Sequence, residues 1–475
     1  MAVQSVAYAG PESLDALRAR LAGELITPEH DEYESARRVW NGMIDRRPAA
    51  IARCVDAEDV ALSVRFAAAH GLPLAVRGGG HNVAGTAVCD DGLVVDLSCM
   101  RTVRLDPAGR TVHVQGGATW ADVDRATAPL GLATTGGVVS ETGVAGLALS
   151  GGVSHQRRRD GMTVDNLAST EVVLADGRRV RASAGEHPDL YWALRGGGGN
   201  FGVVTSFELR LHELGPQVYG LNVAYPIEDA ARVLSGWRDA VTDAPDELST
   251  AGLIWSLPEL ELLPEELRGK PYVGVAGMWA GDPDQGERAT RALRELATPL
   301  LDMSAPVDYL EFQGSLDPFF PAGRRYYWKA LYLDGLSDAA IDTTVGWSGR
   351  RPSNDTLVII RHCGGAISRV GAEETAFGDR SSEWMLSIDS TWHDPADDDV
   401  NIGWTRAFWD AGERFSRGKT YFNFPGLLEE GEGAVRASYG DGHDRLARIK
   451  AAYDPENVFQ LNQNIRPASH FTRPG

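Results

Sequence analysis

The chain has 475 residues, 43% of them hydrophobic and 12 of them Trp, which is more than one packed core usually holds, so two or more lobes are expected. Its 66 acidic residues outnumber 46 Lys and Arg, a formal net charge of -20. That argues against nucleic acid or an anionic membrane as partner, because phosphate surfaces demand clustered cations.

The N-terminal stretch lacks the apolar core of a secretion signal and turns quickly into an amphipathic helix pattern. No run approaches the ~20 apolar residues needed to span a bilayer, so a soluble, cytoplasmic protein is expected, a monomer or a homodimer. Residues 49–77 read as strand, helix, strand. Ile51-Ala52-Arg53-Cys54 is a short strand, and Asp56 and Asp59 suit a helix start. Val60, Val64, Phe66, Ala67 and Ala68 give that helix an apolar face, and Gly71 closes it. Leu74-Ala75-Val76 is the next strand and runs straight into glycines. Strands follow at 93–97 and 111–114 around the turn Asp106-Pro107-Ala108-Gly109, then a helix over 120–130. The runs 171–174 and 179–181 flank Asp176-Gly177, a hairpin signal.

After about residue 213 the composition changes. Amphipathic helices over 227–240 and 287–296 alternate with short strands such as Tyr272-Val273-Gly274-Val275, the pattern of an inserted α+β lobe. Near Tyr421 the character shifts again, to a helix over 444–452 and an Asn-rich tail. The four cysteines, Cys54, Cys89, Cys99 and Cys363, form no CxxC pair and no zinc-like spacing, so no metal site or disulfide framework is expected.

Three glycine-rich segments stand out: Gly78-Gly79-Gly80-His81, residues 136–152, and Gly196-Gly197-Gly198-Gly199-Asn200-Phe201-Gly202. Glycine lets backbone approach a ligand closely and turn N–H groups toward an anion. Each cluster alone reads equally as a turn; three beside strands favour a diphosphate cofactor. No GxxxxGK[ST] follows a strand, so a P-loop is unsupported. Residues 197–202 match GxGxxG loosely but lead into the strand-like 203–207 rather than a helix, which rejects a Rossmann site.

Five segments carry a resemblance: Val76-Arg77-Gly78-Gly79-Gly80-His81-Asn82, Thr142-Gly143-Val144-Ala145-Gly146-Leu147, residues 195–205, Tyr421-Phe422-Asn423-Phe424, and residues 453–465. They resemble, in order, the FAD-binding segments of the berberine-bridge-enzyme-like oxidases, flavoproteins of the vanillyl-alcohol-oxidase type. The match spans about residues 37–467. It is similar to the bacterial branch that acts on secondary metabolites, including those of antibiotic biosynthesis, sugars and nicotine-like amines. The resemblance implies an α+β, two-lobe fold. A PCMH-type FAD-binding domain would occupy 30–213. A substrate domain built on an antiparallel sheet covered by helices would occupy 214–420, and a segment returning to the FAD domain 421–475.

It also implies roles. His81 would bond the flavin 8α-methyl carbon; outside that context a lone histidine reads as a hydrogen-bonded loop residue. Arg77, Gly78, Gly79, Gly80, Asn82 and Gly85 would surround it, and Gly137, Val138, Thr142, Gly143, Gly146, Leu147, Gly151, Gly152, Asn166, Gly202, Val203 and Val204 would line the rest of FAD. Many relatives add a second link through a cysteine; Val139 stands there, so one covalent bond is expected. The stretch Ser150-Gly151-Gly152-Val153-Ser154-His155-Gln156-Arg157-Arg158-Arg159-Asp160-Gly161 departs from the family, and His155 and Gln156 either reshape the pocket or mark surface drift. Tyr421, of the Tyr-x-Asn motif with Asn423, would take a proton from substrate while hydride moves to flavin N5. A free phenol has a pKa of about 10, so a neighbouring cation or hydrogen bond would have to lower it. Asn462 and Asn464 suit either the flavin's pyrimidine edge or loop capping. In the strand-like 356–365, alternation puts Ile359, Arg361 and Cys363 on one face and Ile360 and His362 on the other, without saying which face meets the flavin. Arg361 and His362 are therefore both catalytic candidates.

The expected activity is an FAD-dependent oxidase. It would oxidise an alcohol, hydroxy or amine group of a small molecule, with O2 as acceptor and H2O2 as product. The alternatives are a dehydrogenase with another acceptor, an oxygenase or cyclase of polyketide-type metabolites, and a metabolite-binding flavoprotein without catalysis.

Overall fold

The computed structural model describes residues 13–468 apart from 262, 417 and 430. Most of the amphipathic start and the end of the 421–475 segment lie outside the described residues.

The apolar runs Ala50–Arg53, Leu93–Asp96 and Leu74–Arg77 pair in parallel, with Glu24–Ile26 antiparallel at the edge. Parallel strands need a crossover, and the helix Ala57–His70 carries the chain from Ala50–Arg53 to Leu74–Arg77, the two strands that flank Leu93–Asp96. The Asp56 side chain accepts the N–H groups of Glu58 and Asp59, and Gly71 ends the helix at φ 60°, a left-handed position that favours glycine. A five-stranded antiparallel sheet follows, ordered Val103–Asp106, Thr111–Gln115, Val203–Arg210, Leu167–Val173, Arg179–Ser183. The Asp176-Gly177 turn joins its last two strands.

The second lobe is an eight-stranded antiparallel sheet whose central order is Gln217–Pro226, Pro271–Trp279, Leu248–Ser256, Leu357–His362, Trp384–Trp392, Arg325–Leu333. Side chains alternate across a strand, so the sheet has two different faces. On one, Trp237, Leu293, Ile341 and Phe408 from the helices Ala230–Val241, Pro283–Arg294, Asp338–Ser348 and Asp398–Glu413 pack against Val358, Ile360, Leu386 and Ile388. On the other, Leu253, Tyr272, Trp328 and Leu357 meet Trp40, Val83 and Val139 of the first lobe. The fold is thus α+β, with a helix-covered antiparallel sheet in the second lobe.

Several element boundaries differ from the sequence reading, two of them for a clear local reason. The helix expected over 287–296 starts at Pro283, because the Asp282 side chain caps it and proline suits the first turn. The strand expected over 356–365 stops at His362, since Gly364 and Gly365 turn away at φ 73° and 57°; Cys363 lies beyond it.

The helix Gly442–Tyr453 returns to the first lobe, where Leu446 and Ile449 pack with Leu190, Trp192 and Phe201. Near its end Lys450 is completely buried and pairs with buried Asp454, Nζ to Oδ2 at 2.6 Å. Removing one partner of a buried pair strands the other charge. Asp454→Asn is expected to cost about 3–5 kcal/mol of stability, read as a lower urea midpoint; a change within about 0.5 kcal/mol, usual for surface sites, would contradict the pairing.

Candidate functional site

A cavity of about 600 Å³ lies between the lobes. Glycine clusters form one wall, the cavity face of the large sheet another, and Phe459, Leu461, Asn462 and Gln463 of the returning segment a third. Gly79 and Gly143 touch backbone to backbone: a Cβ on Gly79 would lie 2.5 Å from the Gly143 nitrogen, which accounts for glycine at both. A Cβ on Gly146 or Gly199 would meet no protein atom within 4 Å, although both line the cavity. The backbone there faces open space that a planar cofactor can fill.

His81 sits in this wall. Its ring stacks on Trp40, centroids 4.0 Å apart and 18° between planes, and Trp40 stacks in turn on Tyr326 at 3.7 Å. The Trp40 Nε1–H is fixed by the Phe320 carbonyl at 3.0 Å, so the stack is anchored and the imidazole orientation is set. His81 Nε2 is enclosed with no hydrogen-bond partner, as is Asn82 Oδ1. Burial pulls the His81 pKa down to about 4, leaving a neutral ring at pH 7. A neutral imidazole with its Nε2 unpaired in a cavity wall is the form that can act as a nucleophile.

Of the residues expected around the flavin, Gly78, Gly79, Gly80, His81, Asn82, Gly137, Val138, Thr142, Gly143, Gly146, Leu147, Gly202, Val203 and Val204 line the cavity, with Asn462, Tyr421, Asn423 and Arg361. The others do not. Arg77 holds the strand end through Asp96, Nη2 to Oδ2 at 2.6 Å. Gly85 is a turn at φ 68° packed on Ile44. Gly151 makes room for the Tyr421 ring, and the Gly152 N–H donates to its hydroxyl. Asn166 is held by Thr135, Asp160, Met162 and His212. Asn464 lies in a separate shallow depression.

Tyr421 is buried, and its Oη accepts the Gly152 N–H and the Asn423 Nδ2–H, each at 2.9 Å. Burial keeps the phenol pKa above the usual tyrosine value, against the pull of Asn423, the Gly152 and Val153 N–H groups and Arg361. The local donors thus favour the phenolate, as the sequence reading required, but desolvation outweighs them in the protein alone.

The strand Leu357–His362 settles what alternation left open. Leu357, Ile359 and Arg361 line the cavity, while Val358 and Ile360 belong to the helix-covered core. His362, expected on equal terms with Arg361, is on the far face. It stacks on Trp384 at 4.8 Å, and its Nε2 lies 3.1 Å from Arg158 Nη1. It braces the core and cannot reach a ligand in the cavity.

The divergent 150–161 segment is interior, not surface drift. His155 lines the cavity edge-on to Phe312, ring centroids 4.8 Å apart. Gln156 Nε2 donates to the Thr134 carbonyl at 3.0 Å. Arg157 donates to the carbonyls of Ser154 in one lobe and of Thr250 and His362 in the other. The sequence reading also missed Asp389, which lines the cavity 3.8 Å from Arg361. Its signal was present: one carboxylate in the otherwise uncharged strand Trp384–Trp392. Val139 stands in the cavity wall, and no cysteine does among the described residues. Also among these, no helix is long and apolar enough to cross a membrane, and no group of three or more His, Cys, Asp or Glu could hold a metal.

A family model described as FAD binding domain matches residues 48–183, and one described as berberine and berberine like matches residues 420–466. The (R)-6-hydroxynicotine oxidase of Paenarthrobacter nicotinovorans is 30% identical over 468 residues, 94% of this chain and 97% of that protein. The chain belongs to the berberine-bridge-enzyme-like FAD-linked oxidoreductases. A xylooligosaccharide oxidase of Thermothelomyces thermophilus is also 30% identical, over 463 residues, 92% of this chain and 91% of its own. The crystal structure of 6-hydroxy-D-nicotine oxidase from Arthrobacter nicotinovorans superposes with a TM-score of 0.84 at 29% identity, covering 94% of this chain and 98% of that one. This family member is an FAD-dependent oxidoreductase with the two-lobe fold of those enzymes.

The neutral His362 makes stability pH-dependent. Burial and the adjacent Arg158 lower its pKa from 6.5 to about 3. The unfolded chain therefore takes up its proton first, and this share of stability, complete above pH 6.5, is lost as pH falls toward 3. At about pH 5 the loss is on the order of 2 kcal/mol. Urea unfolding of the wild type and His362→Asn at about pH 7.5 and 5 should show a shallower fall in the variant by that amount. An equal fall in both would refute a neutral His362.

Proposed function

We propose that the chain is a flavin oxidase that holds FAD by one covalent bond from His81 and oxidises an alcohol, hydroxy or amine group of a small secondary metabolite. The observation that carries this reading is the His81 imidazole, neutral, unpaired at Nε2 and oriented by the Trp40 stack in the wall of the cavity. The relatives that oxidise a hydroxynicotine and a xylooligosaccharide support a small organic substrate. The glycine walls and the unpaired Asn82 Oδ1 and Asn462 Oδ1 fit a large, planar, polar-edged cofactor. When bound, FAD accepts two electrons from the substrate and passes them to O2, with H2O2 as product.

The chain's own residues do the rest. Val139 at the edge of the cavity leaves no thiol for a second link. To receive the substrate proton at Oη, Tyr421 would act as its phenolate, whose charge the Gly152 and Asn423 N–H groups hold until the proton neutralises it. The apolar surfaces of Trp328, Phe424 and Ile359 exclude water from the same region.

Acid precipitation tests the bond: a yellow pellet is expected from the wild type and a colourless pellet from His81→Ala, whereas a colourless wild-type pellet would end the covalent reading. Tyr421→Phe should keep its flavin and lose about 10²–10⁴ in kcat, the usual share of general acid–base catalysis. Unchanged turnover would remove Tyr421 from the proton path. Peroxide should match substrate consumed; turnover with a dye acceptor and no peroxide would make the protein a dehydrogenase.

A further inference from the structure

Positive charge collects at one end of the cavity, although the chain as a whole carries -20. Arg157 and Arg361 both line it, and they are 5% and 8% exposed. Arg157 spends its hydrogen bonds on three backbone carbonyls, which give each of its nitrogens one acceptor and leave its charge uncompensated. Arg361 lies 3.8 Å from Asp389, and its Nη1 is enclosed with no hydrogen-bond partner. Asp389 also accepts a hydrogen bond from Ser387, and no ion pair joins Arg157 to a carboxylate among the described residues. His155 adds a ring nitrogen, Nε2, that is likewise enclosed and unpaired. Burial first, and then the two arginines, keep it neutral, so it offers a neutral ring rather than a third charge.

Buried donors without partners and buried charge without a counter-ion are costly, so they mark where a ligand completes the site. The position agrees with the reaction centre. The Arg361 guanidinium lies 5.5 Å from the Phe424 ring centroid, and the Phe424 ring meets that of Tyr421 edge-on at 5.2 Å. His155 and Arg157 both belong to the segment that departs from the family pattern, so the charged end is a feature of this chain.

We propose that Arg361 Nη1 and His155 Nε2 bind an anionic oxygen of the substrate, a carboxylate or an ionised phenol, and that this enzyme takes acidic substrates. Arg157 supplies the second positive charge without a direct bond. The assignment rests on the flavin-oxidase reading for the chemistry that follows binding, but not for the binding itself.

The test is titration of the yellow holoenzyme with benzoate, pentafluorophenolate and benzyl alcohol, followed by the change in flavin absorbance. At least one anion should bind about tenfold or more tightly than benzyl alcohol, the share of one charge-assisted hydrogen bond. Preference for benzoate alone assigns a carboxylate, and for pentafluorophenolate alone an ionised phenol. Arg361→Gln should retain flavin and lose the preference, and His155→Phe should reduce it. Benzyl alcohol binding as tightly as both anions would overturn the proposal, as would an unchanged preference in Arg361→Gln. An Arg361→Gln protein that unfolds cooperatively yet holds no flavin would assign the guanidinium to the cofactor and overturn it too. If that variant does not fold, Arg361→Lys and His155→Phe decide, and an undiminished preference in both refutes the assignment. Failure of the flavin reading shows separately, as a colourless wild-type protein; the preference is then read from thermal shifts with the same three probes.

Discussion

A lysine with no access to solvent holds the far end of the chain against its first lobe. Lys450 Nζ spends all three of its hydrogens, on Asp454 and on the carbonyls of Asn200 and Phe459. Asp454 in turn accepts the N–H groups of Val458 and Phe459. Both ions are therefore fully bonded, the condition under which a buried pair is tolerated. The connections spread from there. Asn200 donates to the Gln463 carbonyl and accepts from the Ile465 N–H, and Gln463 donates to the Phe422 carbonyl. One pair thus ties together the third glycine cluster, the returning segment and the loop that carries Tyr421, all of which line one cavity.

The second lobe contributes its wall by a different rule. Its sheet buries one face under four helices and presents the other to the first lobe, so every second residue of each strand is available to the cavity. Polar groups on that face, Arg361 and Asp389, are flanked by Leu357, Ile359 and Trp328. Arg157 crosses between the lobes, with acceptors on both sides. It therefore fixes their separation as well as the charge of the site.

What the sequence revealed and what it hid follow from the range of the interactions. Close approach of two backbones leaves a residue-type signature, so Gly79 and Gly143 were legible as glycines with a purpose before their contact was known. Period-2 alternation was legible in 357–362, but its phase was not, because both faces of a buried sheet are apolar. Arg361 and His362 were told apart only by what lies above and below the strand. Trp40, which orients His81, is far along the chain and carries no motif. Lys450 and Asp454 are four residues apart, one on the last helix and one just past its end, and carry no mark of burial, which is a property of the tertiary fold alone. The 150–161 segment left pocket and surface equally open: Arg157 and Arg158 are interior, with backbone carbonyls as their acceptors.

An acidic chain that binds a diphosphate cofactor faces a distribution problem. Most of its buried cations are already matched: Arg77 to Asp96, Lys450 to Asp454, Arg380 to Asp165. Among the described residues that line the cavity, the only Lys or Arg are Arg157 and Arg361. Both lie toward the large sheet rather than among the glycines. On the proposed reading the phosphates of FAD would be met mainly by backbone N–H groups and neutral amides, which cost no side-chain desolvation and need no counter-ion. That division explains why the glycine clusters are so long, and it leaves the two cavity arginines to act on whatever reaches the other end.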